Sequence, residues 1–384
     1  MSFITCRSPI FVSLAGGELR VEVGRSDFPL AALCGFASRR NPKRPFLFVS
    51  RVLGRHLPVR PQTMRMAQIR LAVKLPAGLP GPAVTVGMAE TAVALGHGVH
   101  EAWRRMSRRD DLLFIHSSRY RLGRYPLLST FEETHSHATC HLIHRPADTE
   151  DADLFSSCRT LVFVDDEAST GSTFIALARA CHSHMPALVR IVCVTITDWM
   201  GAGRREEVRS AMPVRTDFVS LLEGNCSFIP SDAPPAKMPD VTGNGGFKDD
   251  LLSVNWGRLG VRRPVPLPDH VMAIGAKPGE RILVLGTGEF VFPPFQLARR
   301  LSAMGADVRV QATTRSPILV GNDIRSILEF PDAYADGIRN FLYSVEPRQY
   351  DRVLVCYETP ASTAQHTLLS ALGAEPVFFN GIGD

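Results

Sequence analysis

The stretch Leu161 to Thr173 reads Leu-Val-Phe-Val-Asp-Asp-Glu-Ala-Ser-Thr-Gly-Ser-Thr, an apolar run that delivers two adjacent carboxylates into a small, hydroxyl-rich turn. Val162, Phe163 and Val164 have the make-up of a short buried strand, and Phe174, Ile175, Leu177 and Ala178 are spaced for a helix directly after the turn. Asp165 to Ser172 therefore sit at the carboxyl end of a strand, where open α/β sheets bind ligands. Backbone N–H groups of Thr170, Gly171, Ser172 and Thr173 can face one phosphate at the helix start, favoured by the helix dipole. Asp165 and Asp166 are then placed to accept hydrogen bonds from a neighbouring diol. The competing reading is an ordinary strand end capped by Ser or Thr, and the Thr-Gly-x-Thr turn at this offset speaks against it.

Strand-like and helical runs alternate on both sides of this segment. Phe46 to Val49, Ala83 to Val86, Leu112 to Ile115 and Arg190 to Thr197 read as strands. Ala92, Leu95, Val99 and Trp103 form a helical stripe, and Ser172 to Cys181 a second helix. The pattern breaks from Ser227 to about Pro268, where Pro230, Pro234, Pro235, Pro239, Gly243, Gly245 and Gly246 crowd together as in an interdomain connection. It resumes with strands at Ile282 to Leu285, Val308 to Gln311 and Val353 to Cys356, and helices at about Pro294 to Ser302 and around Tyr334 to Tyr343. The expected fold is α/β with two domains, each a doubly wound, mainly parallel sheet. The first covers residues 1–226, a linker 227–254 and the second domain 255–384.

A chain of 384 residues suits two domains, and 45% apolar with 21% charged residues is ordinary for a soluble enzyme. Eight cysteines without a Cys-x-x-Cys pair argue against a zinc ribbon and for a reducing compartment, hence the cytoplasm. No uncharged stretch reaches membrane-spanning length, and Met1 to Leu14 lacks the layout of a signal peptide. The net charge of +5 owes much to Arg39, Arg40, Lys43, Arg44, Arg51, Arg55 and Arg60. Such a segment can track nucleic-acid phosphates, draw in a small polyanion, or simply be solvated. No aromatic platform interleaves with it, which argues against nucleic acid.

At Leu161 to Thr173 the chain resembles the type I phosphoribosyltransferases, whose signature is four apolar residues, two acids, two small or apolar residues and Thr/Ser-Thr-Gly-x-Thr. The resemblance implies that Asp165 and Asp166 hold the ribose hydroxyls of phosphoribosyl pyrophosphate (PRPP). It likewise implies that Ala168, Ser169, Thr170, Gly171, Ser172 and Thr173 hold its 5′-phosphate. Glu167 departs from the pattern, which usually has an apolar residue there. Residues Gln311 to Pro317 contain a Thr-Arg-Ser-Pro string that names a domain, TRSP, fused C-terminally to one branch of these enzymes. Those fusions also share Asn41 to Arg44, Gly87 to Ala92, Glu133 to Ala138 and Gly286 to Glu289. The resemblance implies a bacterial cytoplasmic enzyme from tellurium-resistance-associated operons that makes a nucleoside-like metabolite. Its reaction would transfer 5-phosphoribosyl from PRPP to a base-like acceptor with release of pyrophosphate. Mg²⁺ would be required, entering through PRPP with Asp165 or Asp166 as protein ligand. The partners would be PRPP and a small acceptor, with neither nucleic acid nor membrane, and a homodimer is allowed. A PRPP-sensing regulator without turnover is the alternative.

The turn Met88, Ala89, Glu90, Thr91 lies between a strand and a helix, so its backbone donors can receive a pyrophosphate. A bare Glu90 would repel that group, so either Mg²⁺ intervenes or Glu90 faces away. Arg119 and Arg121 are candidates for a mobile lid that meets the leaving pyrophosphate. Glu133 and His135 follow as candidates for acceptor contact or proton transfer. His135 and His137, with Cys140 or His141, could instead bind a metal, or the histidines could be structural. The catalytic set expected is Asp165, Asp166, Arg119, Glu133 and His135.

Three short echoes join the two halves in the same order: Val86 to Glu90 with Leu285 to Glu289, Ser117 to Arg119 with Thr313 to Arg315, and Val162 to Asp166 with Val353 to Tyr357. An internal repeat is expected, with Gly286, Thr314 and Cys356 matching Gly87, Ser118 and Asp165. Lacking an acid pair, the second copy would be a degenerate phosphoribosyltransferase-like or Rossmann-like domain. Gly286, Thr287, Gly288, Thr314, Arg315 and Ser316 would form an anion site of its own. Val291 at the third glycine position breaks the dinucleotide fingerprint.

Overall fold

The computed structural model describes residues 8–132, 140–231 and 247–380. Its strands in the first half are β1 (Ile10–Leu14), β2 (Gly17–Ser26), β3 (Cys34–Ser38), β4 (Phe46–Ser50), β5 (Ala83–Gly87), β6 (Leu112–His116), β7 (Leu127–Glu132), β8 (Cys140–His144), β9 (Thr160–Ala168), β10 (Arg190–Asp198) and β11 (Arg215–Pro230). In the second half they are β12 (Arg281–Gly286), β13 (Asp307–Ala312), β14 (Ile327–Pro331), β15 (Arg339–Tyr343), β16 (Arg352–Tyr357) and β17 (Glu375–Phe378).

The first sheet runs β1-β2-β11-β10-β9-β5-β6 and the second β13-β12-β16-β17. From β11 to β6 the pairing is parallel, with β1 and β2 added antiparallel at one edge. Every residue of β5 and β6 is buried, as are the first five of β9. Strands covered on both faces carry such continuous apolar runs, which is why the sequence reveals them. The second sheet is wholly parallel. Among the described residues no helix is long and apolar enough to cross a membrane.

The segment read as a helix around Tyr334 to Tyr343 is instead a turn followed by β15, which pairs antiparallel with β14. The Asp332 carboxylate collects the N–H groups of Tyr334, Asp336 and Ile338 at 2.9, 3.1 and 2.9 Å, and Ala335 and Gly337 have positive φ. That geometry closes a loop and prevents a helix.

The two halves share apolar packing. Val59 pairs with Val310 and Phe114 with Val261 through reciprocal backbone hydrogen bonds. The ring of His97 lies 3.7 Å from that of Phe292 and 4.4 Å from that of Phe114, stacked on both. Trp256, Val59 and Met64 belong to the same buried cluster as Phe290 and Phe295.

The strand order places β12 between β13 and β16, as β5 lies between β6 and β9. Gly286 is level with Ala312 and Cys356, as Gly87 is with His116 and Val164. Ser118 bridges to Leu142 on one hairpin, and Thr314 to Phe341 on the other. The echoes of Gly87 and Ser118 thus hold, but Cys356 matches Val164, one residue earlier than expected. Tyr357 and Glu358 therefore stand where Asp165 and Asp166 stand in the first half. The sequence comparison missed the shift because the apolar run of β16 can be slid by one without penalty.

Candidate functional site

Strands β5 and β9 are neighbours, and the turns that follow them open into one cavity of about 140 Å³. Met88, Ala89, Glu90, Thr91, Asp165, Asp166, Ala168, Ser169, Thr170, Gly171 and Thr173 all line it, as does Arg119. Met88 N–H donates to the Val164 carbonyl at 3.0 Å and Ala89 N–H to Ser117 Oγ at 3.0 Å, fixing the first turn. Thr91 Oγ1 donates to Asp166 Oδ1 at 2.9 Å. Asp165 Oδ1 accepts from the Asp166 N–H at 2.9 Å.

Gly171 caps the helix Ser172–His182 with φ of 68° and no side-chain hydrogen bond. A Cβ built on it would lie 2.6 Å from Val208 Cγ2 and 2.9 Å from Met200 Sδ, so only glycine fits this bend. Ser172 N–H donates to Thr170 Oγ1 at 3.4 Å, and Thr173 and Phe174 of the first helical turn line the cavity, where a helix start suits an anion. Ser172 does not line the cavity; its Oγ lies 2.8 Å from Thr170 Oγ1 and stiffens the turn.

Glu90 neither faces away nor stands bare. Its Oε1 lies 3.1 Å from Arg315 Nε, while Arg55 donates to its backbone carbonyl. Arg55 is fully buried and also donates to the carbonyls of Gly288 and Thr313 at 2.9 and 2.6 Å. Thr314, Arg315 and Ser316 of the second half line the cavity of the first. They do not assemble with the Gly286, Thr287, Gly288 turn, whose Gly288 N–H is taken by Thr313 Oγ1 at 3.0 Å. The expected separate anion site is thus divided, because the Thr-Arg-Ser string crosses to the other half.

Arg119 and Arg121 do not share one loop surface. Arg119 donates to the carbonyls of Cys140 and Ala89 at 2.9 and 3.2 Å, and its N–H to Glu289 Oε1 at 2.5 Å. Arg121 is exposed and does not line the cavity. Tyr120 and Leu122, on either side of Arg121, are buried in a cluster with Leu251, Leu259 and Tyr334. Glu133, His135 and His137 lie outside the described residues. Cys140 is exposed, whereas His141 is buried with Nδ1 2.9 Å from Ser117 Oγ. Among the described residues no three His, Cys, Asp or Glu side chains form a metal cluster.

Arg39 and Arg44, named in the sequence only within a basic run able to draw in a small polyanion, also line the cavity, as do Leu47 and His56, which the sequence did not single out. Arg44 is paired with Glu167, which gives the extra acid a role. Burial pushes the Glu167 carboxyl up, against the pull of the Arg44 charge. Burial pushes His56 down to about 3, aided by Arg55 and Arg39, so its ring is neutral. His56 Nε2 is buried without a hydrogen-bond partner among the described residues. Asp165 and Asp166 offer the oxygen donors a hard cation prefers, so they fit Mg²⁺ carried in on a polyanion.

A family described as "Phosphoribosyl transferase" matches residues 33–225, and one described as the TRSP domain C-terminal to it matches residues 266–372. Among solved structures, the chain is similar to an adenine phosphoribosyltransferase from Rhodothermus marinus, with 18% identity and a TM-score of 0.31 over 50% of this chain and 96% of that one. It is also similar to the Trypanosoma brucei adenine phosphoribosyl transferase in complex with AMP, pyrophosphate and ribose-5-phosphate, with 13% identity and a TM-score of 0.34 over 50% of this chain and 80% of that one. No curated protein matches the chain.

Proposed function

We propose, because the chain belongs to the phosphoribosyl transferase family, that it transfers 5-phosphoribosyl from PRPP to a base-like acceptor and releases pyrophosphate, in the making of a nucleoside-like metabolite. The observation that carries this reading is the shared cavity: the acid pair Asp165 and Asp166, the turn residues Ser169, Thr170, Gly171 and Thr173, and the turn Met88 to Thr91 all line it. In this reading Asp165 and Asp166 accept from the ribose 2′ and 3′ hydroxyls, and the turn from Ala168 to Thr173, stiffened by Ser172, holds the 5′-phosphate. Met88 to Thr91, with Arg119, receive the pyrophosphate. The turns place C1 of the ribose between leaving group and acceptor, and placement supplies much of the rate in such transfers. Mg²⁺ bound with PRPP, beside Asp165 or Asp166, would neutralise charge on the pyrophosphate. The reading divides the chain into a PRPP-binding part, 1–226, and a part, 255–384, that closes the cavity. It keeps a cytoplasmic location, in accord with seven described cysteines that are all free thiols.

The test is incubation of the full chain with PRPP, MgCl₂ and a metabolite extract, followed by mass spectrometry. A new ribosylated species, with pyrophosphate released only when extract is present, is the expected result. PRPP binding without such release would make the protein a sensor, and absence of PRPP binding would remove the reading altogether.

A further inference from the structure

The repeat register makes Glu289 the counterpart of Glu90, Arg315 that of Arg119, and Glu358 that of Asp166. The counterparts do not pair within their own halves. Glu90 meets Arg315, and Glu289 accepts from Ser118 Oγ at 2.8 Å and from the Arg119 N–H at 2.5 Å. Each half therefore reaches into the turn of the other, as two protomers would in a symmetric dimer.

The outcome on the two sides differs. In the second half, Arg258 forks onto Glu358 at 2.6 and 2.8 Å and reaches Glu289 at 3.1 Å. Its guanidinium thus spans the places that correspond to the pyrophosphate turn and the acid pair. The cavity left beside Thr287, Gly288 and Tyr357 is about 10 Å³, no more than about one water. That site is filled by the chain itself and has no use for a ligand-binding arginine.

In the first half the equivalent space is open, and Arg315 lines it. Arg315 Nε faces Glu90, Nη2 donates to Tyr120 OH, and its guanidinium lies over the Tyr120 ring at 5.0 Å. Two contacts and a ring fix the plane of the group. Among the described residues Nη1 has no hydrogen-bonding partner. Nη2 is thereby bonded to Tyr120 and Nε faces Glu90, which leaves Nη1 as the unused donor of a side chain that lines the cavity together with Met88 to Thr91.

We propose that Arg315 is a catalytic residue of the first half's site, donating through Nη1 to the pyrophosphate of PRPP as it leaves. This rests on the reading under Proposed function. In the transfer the C1–O bond breaks with both electrons passing to the pyrophosphate oxygen, the acceptor's lone pair forms the new bond to C1, and any proton the acceptor loses passes to water. A fixed guanidinium that already meets the pyrophosphate in the bound donor strengthens its hold as negative charge grows on the departing oxygens. Glu90, an acid out of place beside a pyrophosphate, then acts to hold Arg315 in position across the boundary between the halves.

Calorimetry on the full chain with MgCl₂ tests this, using PRPP and ribose 5-phosphate as probes and Arg315→Gln, Glu90→Gln and the Glu90→Gln/Arg315→Gln double variant. The single Arg315→Gln change should weaken PRPP by about ten- to a hundredfold, as expected for a lost charge-assisted bond, and leave ribose 5-phosphate within about twofold. The double variant, which removes the acid as well, should stay at least about tenfold weakened for PRPP. If it instead recovers wild-type affinity, Arg315 serves only to neutralise Glu90 and the proposal is overturned. Equal loss for both probes also overturns it, by showing a general disruption of the cavity. Wild-type protein that binds no PRPP overturns the underlying reading and the proposal together. Should Arg315→Gln fail to fold, Arg315→Lys retains the charge beside Glu90 but loses the fork, and a selective loss for PRPP is again expected.

Discussion

The Thr91 hydroxyl donates to Asp166 at 2.9 Å and so ties the turn after β5 to the acid pair near the carboxyl end of β9. The segments assigned to the pyrophosphate and to the ribose hydroxyls of PRPP are held at one spacing by this bond. Thr91→Val keeps the shape and removes the donor, and PRPP affinity should fall about tenfold, the scale of a hydrogen bond to a charged group. Thr91→Ser should keep most of the affinity. Calorimetry that finds Thr91→Val equal to wild type would show that the tie is idle.

Asp165→Asn with Asp166→Asn should cost one to two orders of magnitude in PRPP affinity per lost contact, since charge-assisted bonds contribute about 1.5–3 kcal/mol each. The melting temperature should stay close to that of the wild type, because both side chains are only partly buried. A folded double variant with undiminished PRPP affinity would remove the acid pair from the site.

Gly171→Ala should destabilise the chain by at least about 1–2 kcal/mol, the cost of a left-handed alanine, with the clash against Val208 and Met200 added. The displaced turn should also bind PRPP less well. Thermal melts and PRPP titration of the same preparation read both effects, and an unchanged melt would contradict the tight contact.

Burial pushes His100 and His116 down to about 4 and His97 well below its ordinary 6.5. The unfolded chain therefore takes up more protons than the folded one below about pH 6.5. The stability these rings contribute is complete above that point and falls as the pH drops toward 4, by up to about 1.4 kcal/mol per pH unit for each ring. Melts from pH 7.5 to 4.5 should show this acid limb, and His97→Phe, which keeps the stack on Phe114 and Phe292, should make it shallower. Identical limbs in both proteins would exclude His97 as a contributor.

The central strands were legible because burial on both faces writes itself as unbroken apolar residues, as in Leu161 to Val164 and Ile282 to Leu285. The edge pair of β1 and β2 was not read, since Ile10–Leu14 alternates in burial and is only five residues long. The Asp165 to Thr173 loop was readable because ligand-binding groups lie adjacent in the chain. Arg39 and Arg44 were read only as a basic run and His56 not at all, because they reach the cavity from segments whose distance in sequence hides their proximity. Arg315 was named as an anion-binding residue but assigned to its own half, and no local pattern reports a side chain that crosses between halves. The misread helix near Tyr334 has the same origin as the shifted match at Cys356: short apolar stretches fix neither period nor register.

The buried trio of Arg258, Glu289 and Glu358 also constrains how this sequence can drift. Removing the arginine strands two carboxylates in a space closed to water, a loss on the order of 3–5 kcal/mol. Removing one acid leaves Arg258 half-compensated. Loss of the cation is tolerable only with compensating changes at the acids, so the three positions behave as a single heritable unit spread over about 100 residues of chain. A relative without a basic residue at the position of Arg258 should also have lost both acids, and there the second half would be free to regain a cavity.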